Sequence, residues 1–278
     1  MKTVIYGATD TGKNIFLDIK DSADVILFLD DDPRKWGGEI DDVGIENPLK
    51  IRELDFDEVI VGVLTYRQEV YDRLISFGIS PSKINTRYVD IPTYARIECL
   101  KSVAKLTEQE SIAGSVAELG VFRGEFAKEI NRVFPDRKLY LFDTFEGFDE
   151  RDTDTEVSKN YADVDKKGYF SNTSEEYVLS QMKYPEMCMI RKGFFPETVE
   201  DIEDSFCFVN LDADLYAPTI SGLRWFYPRM ERGGVILVHD FFSRVFHGIK
   251  DAVREFCEDE KIAFFPIGDT LSVGIRKI

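Results

Sequence analysis

The chain has 278 residues, 44% of them hydrophobic, and a formal net charge of −17. This length suits one large domain or two of ordinary size, and the acidic surface excludes nucleic acid as a partner because it would repel a phosphate backbone. No apolar run is long enough to cross a membrane, and the chain enters its first strand without the apolar segment of a leader peptide. We therefore expect a cytoplasmic enzyme without membrane contacts, whose scattered cysteines stay reduced.

The first 88 residues alternate strand and helix patterns, which predicts a small Rossmann-like α/β domain. Its first strand ends at Gly7 and its second ends at Asp30. The segment 7–14 matches the phosphate loop G-x-x-x-x-G-K, but Asn14 stands where such loops carry the Ser or Thr that binds magnesium. A kinase or ATPase is therefore disfavoured, whereas a nucleotide or nucleotide-sugar site still fits the glycine turn followed by an acid.

Residues 89–112 show apolar residues at helical spacing and predict a helical linker. The remaining residues, 113–278, form the second domain, and its candidate strands are 116–119, 138–142, 187–191, 206–211, 234–239, 262–267 and 271–276. Only residues 268–270 separate the last two strands. So short a connection permits an antiparallel hairpin and no parallel crossover, which differs from a dinucleotide-binding sheet.

The most informative segment is 116–127, which has the pattern of a buried strand, a glycine turn and the first turn of a helix. Gly120 would let the backbone turn sharply and approach a ligand, and Gly124 would let the following helix close on the strand. Asp143 ends the next strand, where an acidic residue can hold a ribose hydroxyl pair. These residues predict a nucleotide-binding corner.

Two further strands end in Asp212 and Asp240. The carboxyl ends of parallel strands meet at one edge of a sheet, so we expect these acids to lie near Asp143. Clustered carboxylates repel one another unless a proton or cation intervenes, and two of them with water could hold Mg2+ beside an acceptor hydroxyl. The alternative is that Asp212 and Asp240 only cap the helices that follow them.

Five sequence blocks occur in a fixed order, and the last of them is followed by Asp240. They are ELGVFRG at 118–124, LFDTFEGF at 141–148, GFFPET at 193–198, LDADLY at 211–216 and GGV at 233–235. Over residues 113–245 the chain thereby resembles the bacterial sugar O-methyltransferases of the macrocin type, which use S-adenosylmethionine. The predicted final hairpin also favours a methyltransferase sheet over a dinucleotide-binding one.

The resemblance implies a class I methyltransferase fold with a seven-stranded sheet and a final antiparallel strand. It implies methyl transfer to a hydroxyl of a sugar or glycosylated metabolite, assisted by a divalent metal held by Asp212 and Asp240. The cofactor would contact the glycine turn that follows the strand 116–119 and the segment that follows the strand 138–142. Those cofactor residues are Glu118, which is placed for the methionine amino group, Gly120, Gly124, Asp143, Thr144 and Phe145.

One position departs from the family. Such proteins usually carry an Asp-Asp pair after the Gly-Gly strand, and this chain has His239 before Asp240. We expect the metal to be Mg2+, but imidazole suits Mg2+ poorly and transition metals better, so His239 leaves another divalent ion as the alternative. The catalytic candidates are therefore Asp212, His239 and Asp240. His239 is a metal ligand, a general base, or a side chain that points away from the site.

The block FLDDDPRKWG at 28–37 resembles the N-terminal nucleotide-binding-like domain of bacterial polysaccharide-modifying enzymes, which implies polysaccharide biosynthesis. The first domain would bind a nucleotide or nucleotide-sugar, or else serve homodimer formation or acceptor placement. In the second domain, residues 149–176 are a long polar stretch that predicts a mobile lid, with a surface excursion carrying a short helix as the alternative.

Three other functions stay open at this stage. A metal-dependent methyltransferase of catechol-like molecules would share the fold and the metal. A nucleotide-sugar oxidoreductase would use both glycine turns, although the final hairpin argues against it. A non-catalytic nucleotide-binding protein is favoured only by the missing aspartate at position 239.

Overall fold

The structure is a computed structural model that describes residues 1–161 and 169–278. Its backbone divides into two compact units, Met1–Thr93 and Tyr94–Ile278. A long helix, α3 (Arg87–Gln109), contains the point of division and continues into the second unit. Of the helices described, none combines the length and the apolar character needed to cross a membrane.

The first unit is a six-stranded sheet in the order β3-β4-β2-β1-β5-β6, parallel except for the β3–β4 pair. Its elements are β1 (Lys2–Tyr6), α1 (Asp10–Ile19), β2 (Asp24–Leu29), β3 (Glu39–Ile40), β4 (Val43–Glu46), β5 (Glu58–Val61), α2 (Arg67–Ser76) and β6 (Ile84–Asn85). Successive residues of β1 enter different core clusters, since Val4 packs in one and Ile5 in the other. Both faces of this sheet are therefore covered. The sequence did not predict β3, β4 and β6, which are too short to show a periodic pattern.

The second unit is a seven-stranded sheet in the order β12-β13-β11-β10-β7-β8-β9. Its strands are β7 (Ser115–Leu119), β8 (Leu139–Asp143), β9 (Cys188–Lys192), β10 (Phe206–Leu211), β11 (Met230–Val238), β12 (Phe265–Pro266) and β13 (Val273–Arg276). Its helices besides α3 are α4 (Ala127–Val133), α5 (Glu150–Ser158), α6 (Glu175–Gln181), α7 (Tyr216–Phe226) and α8 (Gly248–Glu260). Strand β13 runs antiparallel to both of its neighbours, which confirms the predicted ending. The strand predicted over 262–267 was too long, because only Phe265–Pro266 pair with β13.

Strand β10 lies in the middle of this sheet and is buried along its whole length. Its side chains enter two core clusters: Phe208 packs in the cluster that contains Ile130 of α4, and Val209 packs in the cluster that contains Leu223 of α7. The helices thus cover both faces, and the carboxyl ends of the parallel strands form the open edge where such sheets bind ligands.

Part of the predicted lid is ordered. Helix α5 lies within it, and its Glu156 is 1% exposed and accepts a hydrogen bond of 2.5 Å from the backbone N–H of Tyr216. Further along, the ring of Phe170 packs 5.0 Å from that of Phe122, next to the glycine turn. The stretch is thus more than an irregular polar excursion; residues 162–168 lie outside the described part, and its mobility stays a prediction.

Candidate active site

The glycine turn after β7 depends on close backbone packing. Gly120 has φ +84°, and a Cβ there would lie 2.0 Å from the carbonyl oxygen of Asp212. Gly124 has φ +76°, and a Cβ there would meet Val178 of α6 at 3.2 Å. Gly124 was predicted to let the following helix close on the strand, whereas in the structure it lies against α6. Each glycine is required by its backbone angle and its neighbours.

Asp143 braces this turn. Its Oδ2 accepts hydrogen bonds from the backbone N–H groups of Val121 at 2.7 Å and Phe122 at 2.8 Å, and its Oδ1 accepts one from Phe145 at 2.7 Å. A carboxylate has about four acceptor positions, so one remains for a ligand hydroxyl. The ribose contact predicted for Asp143 stays a prediction.

The two residues after Asp143 were also predicted to contact the cofactor. Thr144 donates its hydroxyl hydrogen to the carbonyl oxygen of Gly147 and so closes a local turn. Phe145 has φ +56°, and its side chain is 4% exposed in the core cluster around β7 and β8. The backbone of Phe145, and not its ring, therefore lies next to the glycine turn.

Asp212 and Asp240 come together as their strand ends predicted, and the side chain of His239, whose direction the sequence left open, joins them. One potential ligand atom from each lies within 4.8 Å of the others. The Nδ1 atom of His239 is 3.0 Å from Asp212 Oδ1 and 2.8 Å from Asp240 Oδ2. Burial opposes the charged ring, but the two carboxylates outweigh it and raise the pKa of His239 to about 10. Burial likewise opposes the charged Asp212, but His239 and Arg96 hold its pKa well below the usual range.

A third carboxyl, Asp214, was not singled out by the sequence analysis. It follows Asp212 in the loop before α7 and has φ +60°. Burial and the negative charges of Asp240 and Asp212 raise the pKa of Asp214 well above its ordinary value, and it hydrogen-bonds to Asp240. A protonated Asp214 explains how so many carboxyl groups share one small volume.

Glu118 lies at the same edge, on β7. It is 2% exposed, and its Oε1 accepts a hydrogen bond of 2.8 Å from Asn210 Nδ2. Its Oε2 is buried without a hydrogen-bond partner among the described residues. Burial raises the pKa of Glu118 to about 8, and the charge of Asp212 adds to the shift. Once Glu118 is deprotonated, this oxygen is a buried acceptor that a hydrogen-bond donor of a ligand could satisfy.

Arg96 of α3 contacts the candidate site and was not predicted from the sequence. Its side chain is 11% exposed, and its Nη2 donates to Asp212 Oδ2 at 2.9 Å and to Asn210 Oδ1 at 2.8 Å. The guanidinium carbon lies 4.1 Å from the centre of the Phe126 ring. One signal was present in the sequence: Arg96 precedes the buried Leu100 by one helical turn and so lies on the apolar face of α3.

The first unit also contains an aspartate that accepts a hydrogen bond from the backbone after a glycine turn, as Asp143 does. Its described residues contain no counterpart of the group formed by Asp212, His239 and Asp240. Asp30 Oδ2 accepts from the backbone N–H of Ala8 and from Lys35 Nζ, both at 2.9 Å, and Asp30 Oδ1 accepts from the backbone N–H of Asp32. Lys35 also donates to the carbonyl oxygen of Ala8 at 3.1 Å. The acid expected to meet a nucleotide is thus satisfied by its own chain.

The strand order, with one antiparallel strand inserted beside β11, and the ligand edge define a class I methyltransferase fold. Solved structures agree: the O-methyltransferase NovP superposes with a TM-score of 0.53 at 21% identity, covering 71% of this chain and 84% of that one. CalS11, a calicheamicin methyltransferase, gives a TM-score of 0.54 at 17% identity, covering 75% and 84%.

Residues 90–272 match the family described as Macrocin-O-methyltransferase (TylF), and residues 1–85 match the one described as C2185-like, N-terminal. The chain belongs to the macrocin O-methyltransferase family, as its five sequence blocks predicted.

Curated relatives carry the names of glycoside and antibiotic methyltransferases. An 8-demethyl-8-(2,3-dimethoxy-alpha-L-rhamnosyl)-tetracenomycin-C 4'-O-methyltransferase from Streptomyces olivaceus is 23% identical over 58% of this chain, and the match spans 64% of that protein. Demethyldecarbamoylnovobiocin O-methyltransferase from Streptomyces niveus is 26% identical over 63% of this chain and 68% of its own length. Mycinamicin III 3''-O-methyltransferase from Micromonospora griseorubida is 24% identical, with 60% and 77% covered.

Proposed function

We propose that this protein transfers the methyl group of S-adenosylmethionine to a hydroxyl of a sugar or glycosylated metabolite, with a divalent metal ion assisting. One observation carries the proposal. A buried glutamate with an open oxygen, Glu118, lies at the same sheet edge as the Asp212, His239 and Asp240 group. The carboxylate of Glu118 suits a cationic cofactor. The group of Asp212, His239 and Asp240 suits a metal cation that holds the acceptor.

The cofactor fits the residues of β7 and its turn. S-adenosylmethionine carries its methyl group on a sulfonium, so the acceptor oxygen would form the new O–C bond as the C–S bond breaks and the neutral thioether S-adenosylhomocysteine leaves. Glu118 Oε2 would accept a hydrogen bond from the methionine ammonium, because this buried oxygen has no partner among the described residues. Gly120 keeps Cβ atoms away from the turn, and Asp143 holds the turn in place through its backbone amides. The contribution of the chain is chiefly alignment for in-line displacement.

The donor set of the acidic group fits a divalent ion. Asp212 and Asp240 would hold it through carboxylate oxygens, and His239 would add an imidazole nitrogen. A bound metal lowers the pKa of an acceptor hydroxyl and so favours its deprotonation. If the imidazole of His239 is a ligand, Mn2+, Co2+ or Zn2+ should support turnover better than Mg2+, because two carboxylates and an imidazole suit transition metals. His239→Asp should shift that preference toward Mg2+.

A chelator separates the two roles open to His239. If the metal is required, chelation abolishes turnover and leaves cofactor affinity nearly unchanged. If His239 is instead the general base, turnover survives chelation and falls in His239→Ala, with the acid limb lost from the pH profile. Full activity both with chelator and in His239→Ala would contradict both roles and leave alignment as the main source of rate.

A sugar hydroxyl is the proposed acceptor because the chain belongs to the macrocin O-methyltransferase family and one curated relative is named for methylating a rhamnosyl tetracenomycin. The direct test measures S-adenosylhomocysteine release with nucleotide-linked sugars, aryl glycosides and catechol as acceptors. Turnover with glycosides and none with catechol supports the proposal. The reverse result would favour the catechol-like class.

Calorimetric titration of the full chain tests the cofactor. We expect micromolar binding of S-adenosylmethionine to the second unit. Binding of NAD with no binding of S-adenosylmethionine would overturn the assignment in favour of an oxidoreductase.

For the first unit we propose a nucleotide or nucleotide-sugar ligand, supported by Gly7 with φ +118° and by Lys35 Nζ beside the turn, where it could meet a phosphate. Titration with UDP-glucose tests this proposal. Failure to bind would favour the alternative role in dimer formation or acceptor placement, which sedimentation of the full chain would test.

A further inference from the structure

The buried Arg96 contacts groups that belong to both halves of the candidate site. Its Nη2 lies 2.9 Å from Asp212 Oδ2, on the side of the acidic group, and 2.8 Å from Asn210 Oδ1. Asn210 in turn donates from Nδ2 to Glu118 Oε1 at 2.8 Å, on the cofactor side. These contacts form an unbroken chain from the connecting helix to the cofactor glutamate.

The sheet explains why these residues meet. Asn210 and Glu118 are paired across β10 and β7, so their side chains share one face of the sheet. Asp212 follows Asn210 by two residues and continues on that face, while Leu211 between them is buried in the core. Helix α3 brings Arg96 over this row, with its guanidinium 4.1 Å from the Phe126 ring.

The chain of hydrogen bonds has a defined direction. A guanidinium only donates, so the amide of Asn210 must present its oxygen to Arg96 and its nitrogen to Glu118. Glu118 Oε1 must then accept, which leaves Oε2 as the atom free to meet a ligand donor. Without Arg96 the amide could turn over, and its oxygen would face the carboxylate.

We propose that Arg96 is a positioning residue for both substrates of the reaction. Through Asn210 it orients Glu118 so that Oε2 receives the ammonium of the amino-acid part of the cofactor. Through its ion pair it holds Asp212 Oδ2, which leaves Oδ1 turned toward His239. The proposal rests on the proposed function, because it takes S-adenosylmethionine as the ligand of Glu118.

Two probes isolate the amino-acid part of the cofactor. S-adenosylhomocysteine carries the ammonium, whereas 5'-methylthioadenosine keeps the adenosine and the thioether but lacks the amino-acid part. In Arg96→Met we expect the Kd of S-adenosylhomocysteine to rise at least ~10-fold, the loss expected when a charge-assisted hydrogen bond is misaligned. The Kd of 5'-methylthioadenosine should change less than about 3-fold. Calorimetry on the full chain measures both.

Arg137→Met is the matched control. Arg137 is a half-buried arginine of the same unit that donates to the backbone carbonyls of Gly114 at 2.5 Å and Ile112 at 2.7 Å, before the start of β7. Its removal should leave the ratio of the two affinities unchanged. Arg96→Lys keeps a donor and should recover most of the lost affinity, and Asn210→Ala should reproduce Arg96→Met without adding to it in the double variant.

Each result has a defined meaning. Equal loss of both probes in folded Arg96→Met, or no loss of S-adenosylhomocysteine, overturns the proposal. If Arg96→Met does not fold, the ratio of affinities in Asn210→Ala decides in the same way. If the unmodified protein binds neither probe, the proposed function fails, and this result is distinct from failure of the positioning role.

Discussion

The two units contain the same local device with different surroundings. In the first, Asp30 accepts the backbone N–H of the residue after Gly7; in the second, Asp143 accepts that of the residue after Gly120. Each aspartate also accepts the backbone N–H two residues further along its own chain. A glycine turn followed by an acid at the next strand end is therefore a structural brace in both units.

The neighbouring strand positions separate the two units. Two residues before Gly7 stands the buried Ile5, whereas two residues before Gly120 stands Glu118 with its open oxygen. Lys35 Nζ also donates a hydrogen bond to Asp30 Oδ2. Among the described contacts, no lysine donates a hydrogen bond to Asp143. The acid after a glycine turn is thus a structural element common to both units, and the ionisable groups beside the turn are what differs between them.

The largest expected effect tests the group that the first unit lacks. Asp212→Asn or Asp240→Asn should lower turnover about 100- to 1,000-fold and leave cofactor affinity within about 3-fold, because each removes a charge that acts on the acceptor. Release of S-adenosylhomocysteine and calorimetry measure the two quantities. The control is Asp204→Asn, since Asp204 pairs with the Ser115 hydroxyl at the start of β7. A loss confined to cofactor affinity would contradict the assignment.

The brace can be broken in each unit separately. Asp30→Ala and Asp143→Ala should each lower the free energy of unfolding by about 2–4 kcal/mol, because backbone N–H groups lose a charged acceptor. Urea unfolding followed by tryptophan fluorescence and circular dichroism measures this loss. Only Asp143→Ala should also weaken the binding of S-adenosylmethionine, by about 1.5–3 kcal/mol. Unchanged cofactor affinity in that variant would move the ribose contact elsewhere.

Glu118 should make the second unit sensitive to pH. Burial raises the pKa of Glu118 from 4.5 to about 8, so between these values the folded protein keeps a proton that the unfolded chain has lost. The free energy of unfolding should therefore fall as pH rises through this window, with a slope on the order of 1 kcal/mol per pH unit. Cofactor affinity should rise over the same range, since the ammonium favours the carboxylate.

The matched variant for this pH effect is Glu118→Gln. Both dependences should become shallower in it, while the raised pKa values of Asp214 and His239 keep a residual slope in the free energy of unfolding. Unfolding measured at pH 5.5 and pH 8 in both proteins gives the difference, and a slope unchanged from that of the unmodified protein would assign the proton to another group.

The smallest expected effect concerns residues 149–176, which have no counterpart after Asp30 in the first unit. Proteolysis within this stretch should slow several-fold when cofactor and acceptor are both bound, because closing over the site adds order. Limited digestion read by mass spectrometry provides the measurement. Equal cleavage rates with and without ligands would favour a passive surface segment held by α5.

The amino-acid sequence alone was enough to predict the alternation of strands and helices, the antiparallel ending, the family, and the meeting of Asp212 and Asp240 at one sheet edge, whereas it left the direction of the His239 side chain open. These features follow from local periodicity and from the rule that parallel strands end together. The exact extent of the short strands escaped it, because two paired residues such as Phe265–Pro266 carry no period.

Only the tertiary structure decided which groups meet at that edge. The contact of Arg96 with Asp212 joins residues 116 positions apart, and no local pattern specifies such a pair. The use of Asp143 as a brace depends on where the glycine turn places its N–H groups in space. Buried polar groups take the partners that packing brings within hydrogen-bond distance, and this is why their roles became visible only in the folded chain.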